Sequence, residues 1–389
     1  MKTYPLFKVH VPVDTTTAKI RAVFTSGYIN EGEQVTELTK ELRGFLEAKN
    51  LVLLNSCTSA LTLALKLAGV GPGDSVVSTP MTCVATNSPI VAAGARIRWA
   101  DVNPAYGMVT PRTVEDAILG RYTNNQNTRK KPKAVMVVAW AGTPPHLAGI
   151  RRVCDEYGVK LILDAAHAFD ARYLGKQIHE WADYTCYSFQ AIKHFTTGDG
   201  GALVCRDPED YRRSKALKWF GLDRDRAKDD KGNWKGQQWD IDIEESGFKY
   251  NMNNVSAAIG LAQLPYIDHN LGKHRCNAAL YDEIFDGFEH VAPNYRLKEA
   301  ESSHWVYAMQ VRESSRLKRD ELLQALNAEG IMAGVVHVPN DDYTCFKQFR
   351  DDLPGVREFA NKQFSLPCGW WLNETDVRHI ADRVKELTK

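Results

Sequence analysis

Ala134-Val135-Met136-Val137-Val138-Ala139-Trp140 is an apolar run without a single charge. Both faces of such a run are greasy, which is the pattern of a strand covered on both sides, as in a parallel sheet. Residues 147–157 follow with apolar side chains spaced by three and four, the period of a helix packed on one face. Lys160-Leu161-Ile162-Leu163 is then a second buried-strand pattern. Working outward, residues 51–54, 75–78 and 96–99 read as further strands. Residues 58–67, 86–93 and 113–119 read as helices, with Thr113 as a cap for the third. Strands alternating with helices predict an α/β layered fold on a mostly parallel sheet. Between about residues 205 and 245 the chain turns polar, with Asp223-Arg224-Asp225-Arg226 and Asp229-Asp230-Lys231-Gly232, and predicts a helix followed by a long functional loop. A small-residue helix at 254–264 and a long helix past His269 come next. Strand patterns at 303–311 and 332–338 then mix with helices at 319–328 and 374–387. That switch predicts a large domain over 1–269 and a smaller C-terminal α+β domain over 270–389.

The 389 residues carry 49 basic and 48 acidic side chains, a net charge of +1. No global field draws the chain to nucleic acid or to an anionic membrane. The tract Arg129-Lys130-Lys131, inside the polar run 122–132, reads as a solvated loop. The eight cysteines include no C-x-x-C pair, so metal-ligand spacing is absent and no metal is expected. In a chain this long they read as reduced thiols of a cytoplasmic protein. The start, Met1-Lys2-Thr3-Tyr4-Pro5, has no apolar core, and no run of 18 apolar residues occurs, so neither a signal peptide nor a membrane span is expected.

Four local features bear on chemistry. Asn55-Ser56-Cys57-Thr58-Ser59-Ala60 joins a strand to a helix, where free N–H groups and the helix dipole suit a phosphate; a plain N-cap explains it as well. Asp164 ends the strand 160–163, where ligands of open α/β sheets bind; it could equally cap the next helix. Lys193, in Ser188-Phe189-Gln190-Ala191-Ile192-Lys193-His194-Phe195-Thr196-Thr197-Gly198-Asp199-Gly200-Gly201, lies between an apolar stretch and a glycine-rich turn. Desolvation there would make a nucleophilic amine, whereas a lone lysine before a turn is ordinarily a surface residue. Gly247-Phe248-Lys249-Tyr250-Asn251-Met252-Asn253-Asn254 opens the small-residue helix, which on its own signifies tight packing.

Taken in this order, Asn-Ser-Cys-Thr-Ser-Ala-Leu, Asp-Ala-Ala-His-Ala, Ser-Phe-x-x-x-Lys-x-x-x-x-Gly-Asp-Gly-Gly and Gly-x-Lys-Tyr-Asn-Met resemble the DegT/DnrJ/EryC1/StrS family, over roughly residues 25 to 385. These are pyridoxal-phosphate (PLP) aminotransferases acting on nucleotide-linked keto-sugars. The resemblance implies fold type I of PLP-dependent enzymes, with an N-terminal segment contributing to the active site. It makes Lys193 the lysine that anchors the cofactor as a Schiff base and Asp164 the carboxylate that pairs with the pyridine nitrogen. Ser188 and the backbone around Thr58 and Ser59 match the phosphate cup, and His167 a position beside the ring's 3-hydroxyl. Lys249 and Asn251 match residues that the neighbouring subunit of a homodimer delivers. Where relatives often stack an aromatic ring on the cofactor, Cys83 stands here, and sulfur covers less area. Asn254 replaces the Asp of many relatives, a change expected to touch only a helix cap.

The resemblance further implies L-glutamate as amino donor and a nucleotide-linked keto-sugar as acceptor. The Lys-Tyr-Asn-Met variant resembles members that aminate C4 of a 4-keto-6-deoxy sugar. His337, with Val338, Pro339, Asn340 and Asp341, matches a region near the active-site mouth. Tyr28, within residues 28–34, and Trp305 are further candidates for substrate contact. A sugar dehydratase on the same scaffold would carry His at position 193, and a PLP-binding regulator would have lost Lys193 or Asp164. A simple nucleotide-binding α/β protein lacks support, since no G-x-G-x-x-G or Walker pattern occurs.

Overall fold

The computed structural model describes residues 2–121, 130–223, 235–237 and 241–389. Arg129 and the charged stretches 224–226 and 229–232 lie outside the described residues. Two helices come first, α1 (Val13–Ser26) and α2 (Glu33–Phe45). The alternating core follows: β1 (Leu51–Leu54), α3 (Cys57–Leu67), β2 (Ser75–Ser78), α4 (Val84–Ala92), β3 (Arg96–Trp99), α5 (Pro111–Ile118), β4 (Ala134–Val138), α6 (Leu147–Tyr157) and β5 (Lys160–Asp164). Then come β6 (Tyr184–Ser188), β7 (Gly201–Cys205), α7 (Pro208–Leu217), α8 (Asn254–Gln263) and α9 (Ile267–Phe285). The C-terminal part holds β8 (Val291–Pro293), β9 (Tyr307–Val311), α10 (Arg319–Ala328), α11 (Pro354–Lys362), β10 (Gln363–Leu366) and α12 (Glu374–Thr388).

Among the described residues the main sheet has seven strands in the order β1-β7-β6-β5-β4-β2-β3. All neighbours are parallel except β7, which runs antiparallel to both β1 and β6. Every residue of β4 is buried, as the uncharged run requires. Burying side chains such as Leu161 and Ile162 stabilises the sheet by ~1.5–3 kcal/mol each. Asp164 closes β5 in register with Val138 on one side and Cys186 on the other, so the sheet delivers one acid to its carboxyl edge. A second, three-stranded sheet, β8-β9-β10, carries its own cluster of buried side chains, including Tyr281, Phe285, Tyr307, Leu326 and Ile380. The N-terminus reaches this cluster: Tyr4 is buried in it and exchanges backbone hydrogen bonds with Gly330 and Met332. Phe346 and Phe359 pack the other way, edge-on against Trp99 and Trp140 of the main cluster.

Several expectations need correction. Thr110, not Thr113, caps α5: its hydroxyl accepts from the Thr113 N–H, while the Thr113 hydroxyl accepts from the Thr110 N–H, a reciprocal box that Pro111 at the first helical position reinforces. Residues 332–338 are not a strand. They pair through a bridge from Gly334 to Ser365 and a hydrogen bond from the Met332 N–H to Tyr4, with Met332 and Val338 exposed. The strand expected at 303–311 starts at Tyr307, because residues 302–305 are committed elsewhere. Asn253, not Asn254, caps α8, and Asn254 serves the start of α2 instead. The Asn254 amide donates to the Tyr28 carbonyl at 2.9 Å and accepts from the N–H groups of Gly32 and Val35, a combination that Asp cannot make. No helix among the described residues is long and apolar enough to cross a membrane.

Candidate active site

Lys193 sits on an irregular loop between β6 and β7. Phe189 and Phe195 fix that loop by packing edge-on to each other and, with Phe169, into the core. The Thr197 N–H and Thr196 hydroxyl both donate to the Phe189 carbonyl, and the Lys193 N–H donates to Gln190. The glycine-rich tail has a steric reason. A Cβ on Gly201 would lie 2.5 Å from the Cys57 nitrogen, so only glycine lets β7 pass the start of α3.

Around the Lys193 amine the chain places one acid, two thiols and two imidazoles. Asp164 is buried; its carboxylate accepts from the Thr86 hydroxyl at 2.7 Å and from the Ala166 N–H at 3.0 Å. Burial raises the Asp164 carboxyl above the usual range, against the pull of Thr86, Ala166 and Lys193. Burial lowers the Lys193 amine to about 8, with Asp164 opposing. The two groups therefore sense each other in a low-dielectric pocket. Burial also raises the Cys57 thiol well above its ordinary value, with Asp164, Lys193 and Cys83 all within electrostatic reach.

His167 is buried and stacks on Trp305, with ring centroids 3.9 Å apart, and on His337 at 5.2 Å. Its Nε2 lies 3.4 Å from Nε2 of His337, while its Nδ1 is buried without a partner. Desolvation keeps both imidazoles neutral, His337 at about 3 and His167 well below its ordinary value. The Nζ of Lys193 stands 3.7 Å from a Trp305 ring centroid.

The residues expected to form a phosphate cup lie at the start of α3 and the end of β6. The Ser56 side chain caps the helix by accepting from the Ser59 N–H, and the Ser59 hydroxyl donates to Asn55. Thr58 is exposed and Ser59 buried. Ser188 is buried at the end of β6, where its hydroxyl accepts from the Gln190 N–H. Cys83 is the N-cap residue of α4, without a capping side-chain bond.

Other expected residues gather in separate groups. The Lys249 amine donates to Asn251 at 2.8 Å, and Asn251 donates to Asn30. This group leans on the end of β1 through the Leu54–Asn251 bridge. Tyr28 is 58% exposed and contributes its carbonyl to Asn254. Asn340 and Asp341 are buried and structural: Asn340 links to Asn87 and to the Thr82 carbonyl, and Asp341 pairs with Arg357. Thr86 was not among the expected site residues, although it follows Cys83 by three positions. Nothing local ties it to an acid 78 residues away.

The model of the DegT/DnrJ/EryC1/StrS aminotransferase family matches residues 13–385. The chain belongs to this family. The dTDP-4-dehydro-2,3,6-trideoxy-D-glucose 4-aminotransferase of Saccharopolyspora spinosa is 28% identical over 99% of this chain and 97% of its own. The crystal structure of AtS13 from Actinomadura melliaura superposes with a TM-score of 0.88 at 34% identity, covering 99% of both chains. Spr1654 of Streptococcus pneumoniae, described as a sugar aminotransferase and solved in a PLP form, is 25% identical with a TM-score of 0.87, over 99% of this chain and 98% of its own. The protein is a PLP-dependent aminotransferase.

Its residues fit that cofactor on observations of their own. The partnerless Nδ1 of His167 awaits a polar group. Asp164 is a buried acid prepared for a cation. The amine of Lys193 is tuned towards its free base. The start of α3 offers a capped N-terminus to an anion.

Proposed function

We propose that this enzyme moves an amino group from L-glutamate to the keto carbon of a nucleotide-linked sugar, at C4 of a 4-keto-6-deoxy sugar, in amino-sugar biosynthesis. The observation that carries the reading is the pairing of a Lys193 amine near 8 with the buried carboxyl of Asp164. The choice of C4 is supported by the name of the Saccharopolyspora relative and by the Lys249-Tyr250-Asn251-Met252 motif.

PLP, when bound, supplies an electron sink for a carbanion at the substrate carbon. Lys193 Nζ holds the cofactor covalently and, once freed, carries a proton from the donor's carbon. A value near 8 leaves a useful share of free base close to neutral pH. Asp164, as an anion steadied by Thr86 and the Ala166 N–H, keeps a proton on the pyridine nitrogen, since opposite charge favours the charged form. His167 offers Nδ1 to the 3-hydroxyl side, and Thr58, Ser59 and Ser188 receive the phosphate. Cys83 would lie against the ring. His337 and Tyr28 contact substrate.

The enzyme works as a cytoplasmic homodimer in which Lys249 and Asn251 of one protomer serve the other protomer's site. Apolar side chains left in solvent along the N-terminal part, Val9, Val11, Val13, Phe24, Tyr28 and Ile29, support a second copy as their cover. The division into 1–269 and 270–389 belongs to the same reading and is supported by the second buried cluster.

The test supplies PLP, L-glutamate and a panel of UDP- and dTDP-linked 4-keto-6-deoxy sugars, with mass spectrometry of the products. An amino sugar formed together with 2-oxoglutarate is the expected result. Release of 2-oxoglutarate with none of these sugars aminated would overturn the acceptor assignment while keeping the donor half.

A further inference from the structure

Trp305 is tied into the site from several directions. Its backbone N–H donates to Ala141, and its indole Nε1–H donates at 2.9 Å to the carbonyl of Ile192, the residue before Lys193. The ring is 4% exposed, with Phe7 stacked on it at 4.6 Å and His167 at 3.9 Å. Phe7 belongs to an N-terminal strap held by Trp371, whose indole donates to the Pro5 carbonyl, and by Trp370, whose indole donates to that of Lys8. The preceding segment is equally pinned. His194 Nε2 donates to the Ser303 carbonyl and His274 Nδ1 to that of His304, which holds a left-handed backbone with φ of 50°. A strained residue so firmly held signals a side chain that must point one way.

Against this fixed indole rests the free Lys193 ammonium, 3.7 Å from the ring centroid. A cation over an indole face is attracted by the ring quadrupole, most strongly where water is excluded. We infer that Trp305 is a positioning residue for Lys193: it holds the carbonyl before the lysine and provides the resting place of the amine whenever the cofactor does not engage it. Its catalytic consequence rests on the role of Lys193 proposed above. In this account Trp305 acts on the lysine, not on the sugar, and the strap carrying Phe7 backs the indole.

The groups facing the Lys193 amine are Asp164 from β5, Cys57 from α3, Cys83 before α4, the neutral imidazoles of His167 and His337, and His194 beside it. Asp164 favours the ammonium, and burial opposes it. An indole face adds to the side of the ammonium, so its loss shifts the balance towards free base.

The experiment is trace acetylation of the cofactor-free protein across a pH series, with mass spectrometry of the peptide holding Lys193. Wild type is compared with Trp305→Phe and Trp305→Leu, each verified as folded by circular dichroism. The labelling midpoint of Lys193 is expected to fall by about one pH unit in Trp305→Leu and by less in Trp305→Phe. In the PLP-loaded enzyme the same order should appear as a fall in kcat, about tenfold for Trp305→Leu, with KM for the amino donor unchanged. A merely structural wall leaves the midpoints of folded variants equal to wild type, and that result, or a rise, overturns the inference. Should wild type fail to hold PLP on Lys193, the proposed role of the lysine falls, while the cofactor-free titration still decides the place of Trp305.

Discussion

Lys193 and Lys249 both set their ammonium groups over an indole, at 3.7 Å from Trp305 and 3.4 Å from Trp219. Their surroundings separate them. Lys193 faces a buried acid, two thiols and neutral imidazoles, and burial lowers it to about 8. The Lys249 amine donates to Asn251, which in turn donates to Asn30, while the Asn55 amide donates to the Lys249 backbone carbonyl. The lesson is that a ring beneath a lysine steers the amine, while the replacement of water by apolar walls and one acid makes it reactive.

The largest expected effect separates the two lysines directly. Lys193→Ala should lower turnover by about 10^4-fold or more, the usual scale for losing a covalent catalytic group. Lys249→Ala should leave the chemistry in place and raise KM by about 10- to 100-fold, the range of one charged hydrogen bond. Steady-state kinetics of both variants checks this; equal loss of kcat in the two would break the contrast.

Asp164→Asn comes next. Removing the charge from a buried pair should cost about 10^2- to 10^4-fold in kcat, with the far-ultraviolet circular dichroism unchanged. A mild loss would mean that the acid beside Lys193 is not what tunes the site. Thr86→Val deletes the hydroxyl that donates to Asp164 at 2.7 Å. About a tenfold fall in kcat is expected, since the carboxylate keeps the Ala166 N–H. An unchanged rate would show that Thr86 only packs.

The mildest effect is expected on the acid side alone. Burial lowers His274 to about 4 and His304 and His337 to about 3. These groups are neutral when folded, whereas the unfolded chain takes up protons near 6.5. Their contribution is complete above about pH 6.5 and is lost as pH falls towards about 3. The thermal midpoint of the cofactor-free protein should decline over that window, and a flat profile would show that these imidazoles are hydrated.

Much of the fold was legible because its central strands are uninterrupted apolar runs. β4 and β5 announce themselves. β6, Tyr184–Ser188, mixes hydroxyls with aromatics, and β7, Gly201–Cys205, emerges from a glycine-rich tail, so neither showed a strand pattern although both are fully buried. Lys193 and Asp164 were legible as candidates through the order of their motifs, and the structure brings them together. The contacts that shape the site were not. His167 meets His337 across 170 residues and Trp305 reaches the Ile192 carbonyl across 113. Such pairings form only when distant segments meet in the folded chain, and no local spacing encodes them. Asn254 shows the same limit, since its partners lie more than 200 residues upstream.

The central claim is that Lys193 holds PLP and passes an amino group from L-glutamate. It is tested most directly by the visible absorption spectrum of the PLP-loaded protein before and after L-glutamate, without sugar. With Lys193 in that role, a visible band bleaches with release of 2-oxoglutarate and is missing in Lys193→Ala. A wild-type protein without the band, or with a band that L-glutamate leaves unchanged, would contradict it.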